Sequence, residues 1–202
     1  MSFKNCLTII GKTDIVLYMK NEKRFTIDTR QLVLCSLFAA LIAVGAFIQI
    51  PFKPVPITLQ WFFVMVSGAV LSPSCAALAS AVYILIGLTG IPIFTAGGGI
   101  HYVLMPTFGY MLGFILCAYL IGKMAEGGVP LIAANIIATV VLYITGFSYY
   151  IAVNYLYLGT AIDWKASLLA FLVLPIPGDI VKSVFAAIVS GRIRKAVRQG
   201  NA

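Results

Sequence analysis

Residues 167–190 read SLLAFLVLPIPGDIVKSVFAAIVS, an apolar run that carries two charged residues, Asp179 and Lys182. The chain before this run is equally poor in charge, because the 161 residues from Gln31 to Gly191 carry only seven charged side chains in all. Of all 202 residues, 61% are hydrophobic and 10% are charged, whereas a soluble domain has about 25% charged residues. This composition excludes a soluble globular domain and indicates a small polytopic membrane protein.

The apolar part of the chain has room for six membrane-spanning helices at about 20 residues per span. The predicted helices cover residues 31–50, 57–71, 73–90, 103–122, 129–147 and 167–190. Ser72 followed by Pro73 is typical of a helix start and predicts a tight turn between the second and third helices. Gly109 and Gly113 form a GxxxG pair in the fourth helix, which favours close packing inside the protein. The predicted fold class is all-α, a polytopic bundle.

The distribution of Lys and Arg predicts the orientation of the bundle. With both termini in the cytoplasm, eleven of these residues lie on the cytoplasmic side and two, Lys53 and Lys165, lie outside. The net charge of +8 is therefore explained by membrane topology rather than by nucleic-acid binding. We expect a basic cytoplasmic segment at 1–30, a membrane domain at 31–191 and a basic cytoplasmic tail at 192–202.

The first residues do not form a cleavable signal peptide, because Lys12 and Asp14 interrupt their apolar pieces. Met19 precedes a basic stretch and the first long apolar run, so it is a natural alternative start. Residues 1–18 are then an extension that says little about function.

The predicted topology puts three connections on the outer face, at residues 51–56, 91–102 and 148–166. The third is 19 residues long and rich in tyrosine, which favours a lid or a short helix at the membrane interface. Because the long connections lie on the outer face, we expect a site that opens there.

Asp179 and Lys182 are the strongest candidates for that site. Charged groups inside a span cost about 2.5–3.5 kcal/mol each and normally face a cavity or the bundle interior. Counted from Ser190, both residues fall near the middle of the bilayer. Pro177 and Gly178 precede them and are expected to break the helix there. The alternative interpretation is that the two charges, three positions apart on one helix face, only neutralise each other.

Two weaker candidates lie in other parts of the sequence. The run Gly97, Gly98 and Gly99 allows the backbone to approach a ligand closely or forms a simple turn. His101 follows it at the predicted outer interface and is either a substrate contact or a structural residue. Small residues on the first helix, in rows through Ala39 and Ala43 and through Ser36 and Ala40, allow close packing of another helix or packing within the bundle.

Enzyme signatures are missing from the sequence. Gly11-Lys12-Thr13 resembles the end of a phosphate-binding loop, but Cys6 stands where that loop needs glycine. There is one histidine, no GxSxG or HExxH motif and no CxxC pair, so neither a hydrolase nor a metal site is indicated. Binding or transport without a cofactor is favoured over catalysis.

Four ordered segments resemble the BioY family, the biotin-binding S components of energy-coupling factor (ECF) vitamin transporters. They are IPFKPVPITLQ at 50–60, GLTGIPIFTAGGG at 87–99, PTFGYMLGF at 106–114 and PGDIVK at 177–182. The resemblance implies a multi-pass protein of a prokaryotic plasma membrane that captures biotin from outside. It further implies assembly with a transmembrane T component and two ATPase subunits, with Ala39 and Ala43 contacting the T component.

The chemistry of biotin is compatible with these residues. Its carboxylate needs a cation, which Lys182 could supply, and its ureido N–H groups need acceptors such as Asp179. Trp61, Tyr83 and Tyr110 are candidate walls for the bicyclic ring. Asp179 and Lys182 could instead act together on one end of the ligand. The alternative function is a self-sufficient proton-coupled carrier of a small organic anion, with Asp179 titrating.

Overall fold

A computed structural model describes residues 29–51, 56–159 and 163–199. The predicted basic segment up to residue 28, Lys53 and the last three residues lie outside the described residues. In this part of the chain the regular structure is helical, including a short 3-10 helix at Ile100–Leu104, apart from one two-residue antiparallel ladder and an isolated bridge between Phe94 and Gly97. The elements in chain order are α1 (Thr29–Phe47), β1 (Gln49–Ile50), β2 (Ile57–Thr58), α2 (Gln60–Val70), α3 (Pro73–Leu88), α4 (Phe108–Glu126), α5 (Leu131–Val153), α6 (Trp164–Leu168) and α7 (Ile176–Gln199).

Four helical stretches are long and apolar enough to cross a membrane: Thr29–Phe47, Phe108–Glu126, Leu131–Tyr157 and Trp164–Ala196. The helices Gln60–Val70 and Pro73–Leu88 are also apolar but shorter. The predicted helix at 57–71 is too long at its start, because residues 57 and 58 pair with β1 instead. The structure therefore confirms the prediction of an all-α protein with several apolar helices of membrane-spanning length.

The turn between α2 and α3 is as tight as the sequence predicts. Ser72 is the N-cap of α3 in an extended conformation, and Pro73 occupies the first helical turn. The Ser72 hydroxyl donates to Gln31 Oε1 at 3.2 Å rather than capping its own helix. The hydroxyl therefore fastens this turn to the start of α1.

The GxxxG pair of α4 faces α5. A Cβ on Gly109 would stand 2.2 Å from Tyr149 Cβ, and one on Gly113 would stand 2.5 Å from Thr145 Oγ1. Both distances are far below van der Waals contact, so only glycine permits this separation of the two helices. The prediction of packing inside the protein is confirmed.

The predicted end of the fifth helix at residue 147 is wrong, because α5 continues into the 148–166 connection, for which a short helix is one of the two predicted structures. α5 continues to Val153 and passes into a π-helical turn, Asn154–Leu158, that ends at Gly159 with a φ of +59°. α6 then starts at Trp164, where the Asp163 side chain accepts hydrogen bonds from two backbone N–H groups. The tyrosines of this segment therefore extend a helix instead of forming a separate loop.

The break in the last helix lies a few residues before the predicted position. A second π-helical turn, Leu169–Val173, follows α6, and the chain turns at residues 174 and 175. Pro177 and Gly178 instead lie in the first turn of α7, where proline is tolerated because its missing N–H would have no helical partner. Asp179 therefore stands in the first turn of a new helix.

Candidate functional site

A pocket lies among α2, α4, α5, β2 and the first turn of α7. It encloses about 630 Å³ of space between atoms, its open mouth included. Its walls are mainly apolar and aromatic. The aromatic members are Trp61, Tyr102, Tyr110, Phe114 and Tyr143.

Asp179 and Lys182 both line this pocket and form an ion pair. Lys182 Nζ lies 2.5 Å from Asp179 Oδ1. The Lys182 side chain is 13% exposed and the Asp179 side chain is 7% exposed. Lys182 also donates to the backbone carbonyl of Thr58 at 3.1 Å. The lysine therefore ties α7 to β2, and one of its three N–H donors has no partner among the described residues.

Tyr143 is a site residue that the sequence interpretation missed. Its hydroxyl donates to Asp179 Oδ2 at 2.6 Å, so each carboxylate oxygen of Asp179 has one partner. Tyr143 lies in α5, 36 positions away in the sequence. Nothing in its local sequence separates it from the other tyrosines of an apolar run.

Behind the ion pair, one buried side chain joins α5 to α7 and a second forms a hydrogen bond within α7. The Ser183 hydroxyl donates to the Asp179 carbonyl at 2.7 Å, and Asn135 Nδ2 donates to the Ser183 carbonyl at 3.1 Å. Both side chains are almost fully buried. These bonds fix the start of α7, which carries Asp179 and Lys182.

Trp61 and Tyr110, two of the three candidate wall residues, line the pocket. The Trp61 ring stacks on Phe114 with centroids 5.9 Å apart, and its Nε1 donates to Thr139 Oγ1 at 3.2 Å. The Tyr110 hydroxyl donates to the Phe171 carbonyl at 2.7 Å. Tyr110 thus connects the pocket wall to the π-helical turn after α6.

Tyr83 does not line the pocket but contacts Gln60, which does. Its hydroxyl accepts a hydrogen bond of 2.5 Å from Gln60 Nε2 and donates to the Ile93 carbonyl at 3.2 Å. Gln60, which the sequence interpretation also missed, lines the pocket and accepts from the Thr58 hydroxyl. Tyr83 therefore orients Gln60.

The glycine run shapes the mouth without lining the pocket. Gly97 and Gly99 have φ values of +115° and +113°, and a Cβ on Gly98 would lie 2.1 Å from the Ile91 carbonyl oxygen. This turn positions Thr95 and Tyr102, whose hydroxyls are 2.9 Å apart and which do line the pocket. His101 is exposed and outside the pocket lining.

A wider cavity, which we call the vestibule, lies next to the pocket and shares four of its lining residues. It encloses about 1490 Å³, its opening included. The shared residues are Pro56, Thr95, Tyr102 and Thr107. Asp163, Ser167 and Tyr150 give it a more polar wall, and the Tyr150 and Ser167 hydroxyls are 2.7 Å apart. The pocket thus continues into this cavity between α5 and the α6 segment.

The small residues of α1 are not part of the site. Ala39 is 5% exposed and belongs to the core, and Ala43 is half-buried. Ser36 and Ala40, from the other small row, are exposed. The small row with an open outer surface is therefore Ser36 and Ala40. In the described part of the chain, no cluster of three or more metal-binding side chains is present.

Residues 19–199 match the family model described as the BioY family. A relative from Lysinibacillus sphaericus, named as a probable biotin transporter BioY, is 41% identical over 87% of this chain and 92% of its own length. The biotin transporter BioY of Thermotoga maritima is 36% identical over 82% of this chain and 96% of its own length. The crystal structure of an S-component for biotin from an ECF-type ABC transporter superposes with a TM-score of 0.64 at 25% identity. That match covers 82% of this chain and 91% of the other.

Proposed function

Because this chain belongs to the BioY family, we propose that it captures biotin at the outer face of the plasma membrane and delivers it through an ATP-driven ECF transporter. In this proposal the protein is the multi-pass S component, has no catalytic activity and works with a T component and two ATPase subunits. The proposed topology has six spans with both termini in the cytoplasm, which agrees with the asymmetry of Lys and Arg.

The observation that carries the proposal is the neutral polar group at the base of an aromatic pocket. Asp179, Lys182 and Tyr143 together carry no net charge, and they offer carboxylate acceptors beside one ammonium donor. A ureido group presents two N–H donors and one carbonyl acceptor, so it complements this arrangement. A carboxylate would instead approach the Asp179 anion, which disfavours its ionised form.

We therefore assign the ureido end of biotin to the base of the pocket and direct its carboxylate toward the open mouth, away from the Asp179 anion. Trp61, Tyr110 and Phe114 offer flat apolar surfaces for the bicyclic ring between these ends. The valeryl chain then extends past Thr107 and Thr95 toward the mouth.

The proposed T component contact remains on the small residues of α1. Ser36 and Ala40 are exposed and Ala43 is half-buried, whereas Ala39 lies inside the bundle behind them. A partner helix needs small residues for close approach in lipid, where apolar surfaces gain little by association.

The experiment that tests this function combines binding and uptake. The protein is purified in detergent and its co-purified small molecules are identified by mass spectrometry, with biotin as the expected ligand. Uptake of biotin is then measured in cells with and without the ATPase module, each with and without a protonophore. Uptake that needs no partner and stops with the protonophore would support the proton-coupled carrier and contradict the ATP-driven proposal.

A further inference from the structure

The vestibule extends the ligand pocket, and it is the larger of the two cavities. It encloses about 1490 Å³, against about 630 Å³ for the pocket, with the openings included in both values. Thr95 and Thr107 are among the residues that line both cavities, so a ligand that fills the pocket has space beyond its outer end. In the proposed binding mode, that outer end is the carboxyl group of biotin. The vestibule therefore has room for a group attached to this carboxyl.

The charge of the vestibule wall restricts what this group is. Among the described lining residues, Asp163 is the one charged side chain, and none is basic. Asp163 is exposed, and its Oδ1 accepts hydrogen bonds from the backbone N–H groups of Lys165 and Ala166 at 3.1 Å and 3.2 Å. These bonds cap α6 and hold the carboxylate in place. The Lys165 side chain does not line the vestibule, and the described residues contain no ion pair between it and Asp163.

The uncharged part of the wall suits an alkyl chain with an N–H group. Phe171 and Met105 supply apolar surface, and the Phe171 ring packs on Tyr150 with centroids 4.2 Å apart. The hydroxyls of Tyr150 and Ser167 supply oxygen acceptors. A carboxylate in this cavity meets no cation among the described lining residues and is repelled by Asp163, whereas an ammonium group is attracted to it.

We propose, on the basis of the proposed function, that the ligands of this protein include amides of biotin whose alkyl tail ends in an ammonium group. The bicyclic ring occupies the pocket, the tail packs on Phe171 in the vestibule, and the ammonium group pairs with Asp163. An amide has no net charge, so the linkage loses less hydration than a carboxylate when it enters the mouth.

The test compares biotin with three of its amides, whose tails have equal length and end in an ammonium, a methyl or a carboxylate group. Isothermal titration calorimetry of the purified protein at low ionic strength measures the affinities. Because an exposed charge pair changes affinity only a few-fold, we expect the ammonium form to bind about threefold to tenfold more tightly than the carboxylate form. The methyl form should lie between them. Added salt should reduce the difference, since salt screens exposed charges.

Asp163→Asn tests whether Asp163 causes this difference. Asparagine caps a helix as well as aspartate does, so the variant keeps the start of α6 and loses the charge. The ammonium and carboxylate forms should bind it about equally. Asp163→Ser, another uncharged cap, carries the test if circular dichroism shows that the first variant does not fold. Glu126→Gln is the matched control and should keep the preference, because it removes an exposed acidic charge at the end of α4, outside the vestibule lining.

Three results would overturn the proposal and leave the capture of biotin standing. If biotin binds but its amides do not, no tail enters the vestibule. Equal affinity of the parent for the ammonium and carboxylate forms would show that Asp163 does not select the tail. A preference for the ammonium form that persists without the Asp163 charge would place the tail elsewhere. Failure of biotin itself to bind the parent would instead contradict the proposed function, and this proposal with it.

Discussion

Tyr143 donates its hydroxyl proton to Asp179 Oδ2 over 2.6 Å, which joins the middle of α5 to the first turn of α7. The opposite oxygen of the same carboxylate lies 2.5 Å from Lys182 Nζ. A buried carboxylate with two such partners has a fixed orientation, so its remaining lone pairs point in defined directions. The base of the pocket is thereby organised before any ligand arrives.

Replacement of Tyr143 by phenylalanine removes one of the two partners of Asp179. A hydrogen bond to a charged group contributes about 1.5–3 kcal/mol, so we expect biotin affinity to fall roughly ten- to hundredfold. Isothermal titration calorimetry of the purified protein measures this change. Tyr119→Phe is the matched control, because Tyr119 is 38% exposed on α4 and lies outside the pocket. If both variants bind like the parent, Tyr143 does not support the ligand site.

Lys182→Met tests which end of biotin meets the ion pair. Loss of one partner leaves Asp179 as an uncompensated buried charge, at a cost of about 3–5 kcal/mol, so stability is measured first. The double variant Asp179→Asn with Lys182→Met removes both charges and serves if the single variant does not fold. With the ureido end at the base, biotin and its uncharged amide should weaken alike. A selective loss of affinity for biotin over the amide would assign the carboxylate to Lys182.

Tyr110→Phe frees the Phe171 carbonyl from its hydrogen bond of 2.7 Å. A neutral hydrogen bond contributes about 1 kcal/mol, which corresponds to a roughly fivefold faster release of biotin if the α6 segment must move for release. Stopped-flow chase experiments measure this rate. Hydrogen exchange at residues 164–173 should rise in parallel. Faster release with unchanged exchange would mean that Tyr110 acts through direct contact with the ligand.

Bulky substitutions on α1 separate the proposed partner contact from internal packing. Ala40→Leu and Ala43→Leu add volume at positions with outward surface, so biotin binding should survive while uptake with the ATPase module fails. Ala39→Leu is an internal comparison, since overpacking a core position costs about 1–3 kcal/mol and should lower the melting temperature. Val33→Leu, at a position 64% exposed, controls for added bulk. Normal uptake in the Ala40 and Ala43 variants would remove this face from the interface.

The sequence predicts those features of the candidate site that depend on local patterns. Asp179 and Lys182 are three positions apart in an apolar run, and such charges are conspicuous because the membrane makes them costly. Their burial and ion pair are compatible with a ligand site and equally with the alternative that the two charges only neutralise each other. Trp61 and Tyr110 were proposed as walls for a biotin-like ring, and both line the pocket.

The remaining features depend on tertiary contacts that no local pattern encodes. Tyr143 and Gln60 acquire their roles from partners far away in the chain. Tyr143 pairs with Asp179, and Gln60 pairs with Tyr83. The short α2 follows from the pairing of β2 with β1, and the length of α5 from continuous helix through a tyrosine-rich segment. The presence of Pro177 predicts a helix break nearby. It does not define whether the helix ends before the proline or at it.

The glycine contacts between α4 and α5 also have a mechanical consequence. Because Gly109 and Gly113 bring the backbones together beneath Tyr149 and Thr145, these two helices form one interlocked hairpin. When a force probe pulls the chain out of a bilayer from its C terminus, α4 and α5 should leave in a single rupture event. Alanine at Gly109 would push the helices apart and divide that event into two smaller ones.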